Sequence, residues 1–242
     1  MTSPSVRPVL LVAGVGPGLG MSVAHRFGSE GYAVALVSRS PARHADYLNS
    51  LADAGVEAAA FVADAADPGA LRSAVDAVRD RFGLIDVGYY GPAAVGPMAD
   101  IIGLDAAGAE TALRGVVPAV DFASLLLPEL TERGSGGLLF AGGLSSVVPM
   151  PPLGGLALAS AVLRNYALTL HAALAPIGVY AGTLTIGGLI ERGDIHLSML
   201  EHPDLFGNVS VSTLNPDELA DLAWRLYRDR TEPEAVVNTL VA

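Results

Sequence analysis

The sequence predicts an α/β fold: one doubly wound parallel sheet of about seven strands with helices on both faces. Short apolar, β-branched runs alternate with longer Ala/Leu-rich segments of helical period, the rhythm of repeated βαβ units. A glycine-rich turn, Ala13-Gly14-Val15-Gly16-Pro17-Gly18-Leu19-Gly20, follows the first apolar run and precedes an amphipathic stretch from Met21. That is the strand, turn and helix start of a Rossmann-type nucleotide site. The 242 residues, 51% of them hydrophobic, bury a full core and fit a single domain over 1–242.

The first strand is the run Pro8 to Ala13, and the glycine turn starts a helix over 18–30. Apolar runs then place strands at Ala33 to Ser38, Glu57 to Ala63, Ile85 to Tyr90, Gly137 to Ala141, Val179 to Ile186 and Ala235 to Leu240. The helical periods between them cover 41–54, 68–82, 105–133, 153–175 and 216–229. Turn residues dominate two segments, Gly142 to Gly155 and Gly187 to Asn215. Both follow strand C-termini, where a doubly wound sheet binds its ligands.

Composition excludes several classes. A net charge of −11 without basic clusters disfavours nucleic acid and anionic membranes as partners. No unbroken apolar run approaches a membrane span and no leader pattern precedes the glycine loop, so the sequence predicts a soluble, cytoplasmic chain. With no cysteine, thiol catalysis and Cys-ligated metals are out. The five histidines, His25, His44, His171, His196 and His202, form no metal pair at helical spacing, and no metal site is expected. There is no G-x-S-x-G or H-E-x-x-H. The sequon Asn208-Val209-Ser210 is read as chance.

Backbone N–H groups at Gly14, Gly16, Gly18, Leu19 and Gly20 can reach phosphate oxygens, because side chains there are absent or turned away, and the helix N-terminus adds positive potential. The G-x-x-x-G-x-G spacing of Gly14, Gly18 and Gly20 resembles the short-chain dehydrogenase/reductase family. The likeness extends over nearly the whole chain through Ser38-Arg39-Ser40, Asp64 in Val62-Ala63-Asp64-Ala65, Ile85-Asp86-Val87 and the segment Leu170 to Ile177. It implies that Asp64 meets the adenine amino group. No carboxylate stands at the end of the second strand to accept from a ribose hydroxyl, and Arg39 beside Ser38 can pair with a 2′-phosphate, so NADP(H) is favoured over NAD(H). Pro17 stands where many NADP-preferring relatives carry a second basic residue.

The resemblance also implies an Asn/Ser/Tyr/Lys constellation that this sequence lacks. Aligned without gaps back from Ala175-Pro176-Ile177-Gly178, the tyrosine position falls on Leu156, the lysine position on Ser160, the serine position on Gly143 and the asparagine position on Gly115. Where the family reads Asn-Asn-Ala-Gly, this chain reads Tyr90-Gly91-Pro92-Ala93. All fourteen basic residues are arginine, so no Y-x-x-x-K exists in any alignment. Loss of a positioned general acid costs about 10²–10⁴ in rate.

Candidate substitutes are Ser145 and Ser146, just past the empty serine position, and Tyr90, with Tyr89 as its alternating neighbour. Arg164 shares a helix face with Ser160 and could approach the ribose, and His196 lies in the expected substrate loop, 187–215. The leading expectation is an NADP(H)-dependent carbonyl or enone reductase with a non-standard proton source. The alternatives are a non-redox isomerase or cyclase with a cleft lined by Met150, Leu153 and Leu156, and a non-catalytic NADP-binding partner subunit. The helix over 154–175 is apolar on several faces. With the family's two-fold helix pairing, this predicts a homodimer or homotetramer acting on a small-molecule substrate.

Overall fold

A computed structural model describes residues 7–92, 100–201 and 212–240. Ala93, His202, the 208–210 sequon and the middle of the 187–215 segment lie outside the described residues. The central sheet contains β1 (Val9–Ala13), β2 (Ala33–Ser38), β3 (Ala58–Val62), β4 (Val87–Tyr90), β5 (Gly137–Gly143), β6 (Tyr180–Gly187) and β9 (Glu234–Asn238). Its order is β3-β2-β1-β4-β5-β6-β9, and every neighbouring pair is parallel. β1 and β2 read as unbroken apolar runs because both faces of a parallel sheet are covered.

Side-chain alternation divides the core in two. Val9, Leu11 and Ala13 point toward α3 (Pro68–Phe82), α5 (Val117–Arg133) and α6 (Gly154–Leu174). Leu10 and Val12 point toward α1 (Leu19–Ser29), α2 (His44–Asp53) and α8 (Pro216–Asp229). Helix α5 lies close over β4 because Gly88 has no side chain: a Cβ there would stand 2.5 Å from Leu126 Cδ1 and 2.9 Å from Phe122 Cζ. The stretches 106–133 and 151–177 have the length and hydropathy of membrane spans. In this fold their α5 and α6 portions pack on the sheet, with Phe122, Leu126, Ala167 and Leu174 in its core.

Three expected elements differ from those observed. The single helix over 105–133 is two, α4 (Ala106–Arg114) and α5, separated at Gly115-Val116. Pro118 has no N–H to give the Arg114 carbonyl, and its ring crowds that carbonyl, so the helix restarts with proline in its first turn. The segment after β6 is not wholly irregular: β7 (Leu189–Ile190) pairs in parallel with β8 (Thr213–Leu214), and α7 spans Asp194–Glu201. The last strand stops at Asn238, where Thr239 N donates to Gly187 O and Leu240 N to Asn238 Oδ1.

A charged clamp holds that last strand. Arg164 of α6 binds Glu234 of β9 through Nε at 2.7 Å and Nη2 at 2.6 Å, and Thr185 of β6 donates to the same carboxylate. The Arg164 hydrogen bonds, backed by Thr185, hold the Glu234 carboxyl below its ordinary pKa against the opposing effect of burial. A carboxyl whose folded pKa is depressed contributes stability that is complete above the unfolded pKa and is lost as pH falls through the folded one. Glu234→Gln is therefore expected to cost about 1–3 kcal/mol at neutral pH. In denaturant titrations against pH, the difference from the parent should vanish in acid, below the lowered Glu234 pKa.

Candidate functional site

The turn after β1 is built by close approach. Gly14 adopts φ +80°, and a Cβ on it would stand 2.5–2.7 Å from Pro92 N, Cα and Cγ. Gly14 N and Val15 N both donate to Val37 O, at 2.9 and 3.1 Å, tying the turn to the end of β2. Helix α1 starts at Leu19 with no side-chain cap and no acidic residue in its first turn. No carboxylate of its own first turn compensates its N-terminal potential. Gly14, Gly16 and Gly18 thus form the turn at the C-terminal end of β1, and Leu19 and Gly20 open α1 directly after it.

At the far side of the cleft, Ser38 Oγ bonds Ser40 O at 3.0 Å and His44 Nε2 at 2.8 Å. Arg39 is exposed and makes no ion pair or hydrogen bond among the described residues. Asp64 accepts from Ala66 N through Oδ1 at 2.9 Å, which closes a turn, and its second oxygen has no partner among the described residues. This half fits the nucleoside end of a dinucleotide, with a cation and a carboxylate oxygen uncommitted.

The glycine-loop half carries a covering that the sequence did not announce. A Cβ on Gly18 would stand 3.0 Å from Gly193 N and Cα and 3.1 Å from Glu191 O, and one on Gly16 would stand 3.8 Å from Asp194 Oδ2. The segment 191–194 thus lies against the loop. Arg43 Nη1 reaches Asp194 Oδ1 at 2.6 Å, and Arg192 binds Asp217 at 2.7 Å and Ser22 Oγ at 3.2 Å. Asp217 sits beside a cavity of about 200 Å³ lined also by Pro17, His25 and Tyr47. Burial lowers the His25 pKa, with Asp217 acting against it. His196 turns back to accept from Arg192 N at 3.1 Å through Nδ1. In this arrangement 191–194 stands on the side of the loop from which a pyrophosphate would approach.

The four positions read as replaced fall at the end of β5 and on the facing helices. Ser160 is buried on α6, and its Oγ would be 3.1 Å from a Cβ on Gly143; Ser145 Oγ would be 3.5 Å from the same point. Two hydroxyls therefore converge where a strand side chain is missing. Ser146 Oγ is buried without a hydrogen-bond partner among the described residues. Leu156 is half-buried, one turn before Ser160 on the same helix face. Gly115 is exposed at the break between α4 and α5.

The aromatic and basic substitutes lie elsewhere. Tyr90 packs against Phe122 and Phe140 at 5.5 and 6.4 Å between ring centroids, and burial, with the charges of Asp64 and Asp121, pushes its phenol up to about 12. Tyr89 is buried on the opposite face of the sheet, and burial raises its pKa as well. Arg164 is committed to Glu234 and does not serve the cleft.

The family model described as short chain dehydrogenase matches residues 8–189. This chain belongs to that family. Among curated relatives, this dehydrogenase-family chain is 34% identical over 152 residues to a Streptomyces coelicolor protein named as a ketoacyl reductase, covering 60% of this chain and 57% of the relative. It is 32% identical over 106 residues to ketoacyl reductase 1 of the granaticin polyketide synthase of Streptomyces violaceoruber, covering 42% and 39%. The matches thus span less than two thirds of either relative. Among solved structures, L-sorbose reductase from Gluconobacter frateurii, complexed with NADPH and L-sorbose, superposes with a TM-score of 0.79 at 21% identity over 96% and 95% of the two chains. A metagenomic short-chain oxidoreductase in complex with NADP gives 0.77 at 18% identity over 97% and 98%. These likenesses establish the seven-stranded fold.

Gly14→Ala tests the turn directly. A side chain at φ +80° pressed against the Pro92 backbone is expected to cost about 1–3 kcal/mol or more, read as a lower midpoint in denaturant unfolding.

Proposed function

We propose that this chain is an NADP(H)-dependent oxidoreductase that reduces a carbonyl or enone, with serine hydroxyls in place of the family's tyrosine and lysine. The observation that carries this reading is the convergence of Ser145 and Ser160 on the space beside Gly143. Two hydroxyls there can donate to a substrate oxygen and stabilise the negative charge that develops as hydride arrives. A serine is a poor acid, so the proton comes from water or from an acidic group of the substrate itself. Tyr90 packs against Phe122 and Phe140 inside an aromatic cluster and is the poorer candidate.

The bound nicotinamide supplies the hydride. The glycine-loop N–H groups hold the pyrophosphate, Arg39 the 2′-phosphate and Asp64 the adenine amino group. Support for the phosphorylated coenzyme comes from Arg39, uncommitted among the described residues, and from the NADPH and NADP complexes of the structural neighbours. The two ketoacyl reductase relatives favour a ketone beside an acidic carbon. Leu156 and Ser160 at the tyrosine and lysine positions favour a second reading, a non-catalytic NADP-binding partner subunit.

A homodimer or homotetramer fits the outer faces of α4, α5 and α6, where Leu113, Val117, Val120, Leu158 and Val162 are exposed. Light scattering is expected to give a dimer or tetramer, and Val162→Asp a monomer.

The decisive assay follows NADPH absorbance with α-diketones and β-ketoacyl thioesters. Slow turnover is expected, falling about 10²–10³-fold in the Ser145→Ala/Ser160→Ala double variant. Tight NADPH binding without turnover of either substrate class would establish the second reading instead.

A further inference from the structure

We propose that Arg43 is a second coenzyme-selecting cation, held in reserve by Asp194, so that NADP(H) enters by taking this guanidinium from the chain's own carboxylate. The inference rests on the NADP(H) reading above. It adds a residue, Arg43, and a strap, 191–194, that the coenzyme must displace.

Arg43 ends the turn that follows β2, Pro41–Arg43, the same stretch that carries Arg39. Its guanidinium is half exposed but has a partner. It reaches across to Asp194, 151 residues away in sequence, at 2.6 Å. The other oxygen of Asp194 lies 3.8 Å from the Cβ position of Gly16, over the loop whose N–H groups and helix end attract anions. Asp194 therefore occupies, with the protein's own negative charge, a place suited to a phosphate oxygen.

The backbone around it is held down on both sides. Gly193 and Glu191 O touch the Gly18 position. Arg192, in the left-handed conformation at φ +64°, anchors the strap to α1 and α8 through Ser22 and Asp217. Strain of this kind persists only where surrounding contacts over-determine it. The Arg43–Asp194 pair has half or more of each side chain exposed, so it is a weak and exchangeable tie. A phosphate monoester offers the guanidinium more charge and a forked acceptor. An unphosphorylated coenzyme also has to displace Asp194 but returns nothing to Arg43.

The two members of the pair therefore have opposite effects. Asp194→Asn removes the competitor, and it is expected to tighten NADPH and NADH alike, by about threefold to fivefold. Arg43→Ala removes the reward for the phosphate, and it is expected to weaken NADPH about tenfold while leaving NADH unchanged or slightly tighter. Isothermal titration of the full chain with each coenzyme reads both effects. Hydrogen exchange gives a ligand-free readout: amides of 191–194 should exchange faster in both variants than in the parent.

Parent protein that binds NADPH, with both variants within twofold of it for each coenzyme and unchanged exchange at 191–194, would overturn the strap and leave the NADP(H) reading intact. Failure of the parent and both variants to bind either coenzyme would overturn both. Asp194→Ala serves as a second probe should Asp194→Asn keep the Arg43 contact through its amide oxygen.

Discussion

The left-handed turn at Gly14 is the constraint on which the sheet, the first helix and the cleft all depend. Its backbone N–H and that of Val15 end on one carbonyl of β2, while Pro92 at the end of β4 fills the space that a side chain would take. Three neighbouring strand ends are thereby fixed relative to one another. Helix α1 can then start without a capping side chain, leaving its amide end directed at the cleft. A Cβ at this one position would force β1 and β4 apart or expel the turn.

Around that rigid turn, the end of β5 is lined by small and apolar groups. Glycine at the end of β5 makes room, and hydroxyls from the adjoining turn and from α6 point into it. The charged group that helical spacing set beside Ser160 is engaged elsewhere: Arg164 secures the outermost strand. The electrostatics of the site therefore rest on the coenzyme side, where Arg39, Arg43, Asp64, Asp194 and the helix end are gathered.

The sequence made the fold legible because the inner parallel strands, buried on both faces, are continuous apolar runs, and the partly buried edge strands β3 and β9 keep enough apolar residues to stand out from the Ala/Leu helices. Gly14 and Arg39 follow directly on strand ends and Asp64 lies one residue further along, which is why the sequence offers them as candidates. The break between α4 and α5 was missed because the apolar period runs straight through Gly115, although Pro118 carried the signal. The segment 191–194 was read only as part of a loop. Its partners, Arg43, Ser22 and Asp217, are remote in the chain, and no local pattern marks such pairs. Glu191-Arg192-Gly193-Asp194 is an ordinary solvated charge run until the fold lays it on the glycine loop. Arg164 illustrates the converse: helical spacing placed it correctly on the Ser160 face, but an acid seventy residues later decides where it points.

The sheet order also governs how the chain must assemble. β1 is an interior strand yet precedes the other strands in the chain, and its second neighbour pairs Leu10 with Val87. Until that later strand emerges, the nascent polypeptide carries a fully apolar strand with one row of amides and carbonyls unsatisfied, a template for pairing with other chains. Non-local parallel pairing of this kind is slow because loop closure precedes its reward. The architecture that presents the glycine loop so well therefore makes early synthesis the hazardous phase of this molecule's life, when chaperone protection matters most.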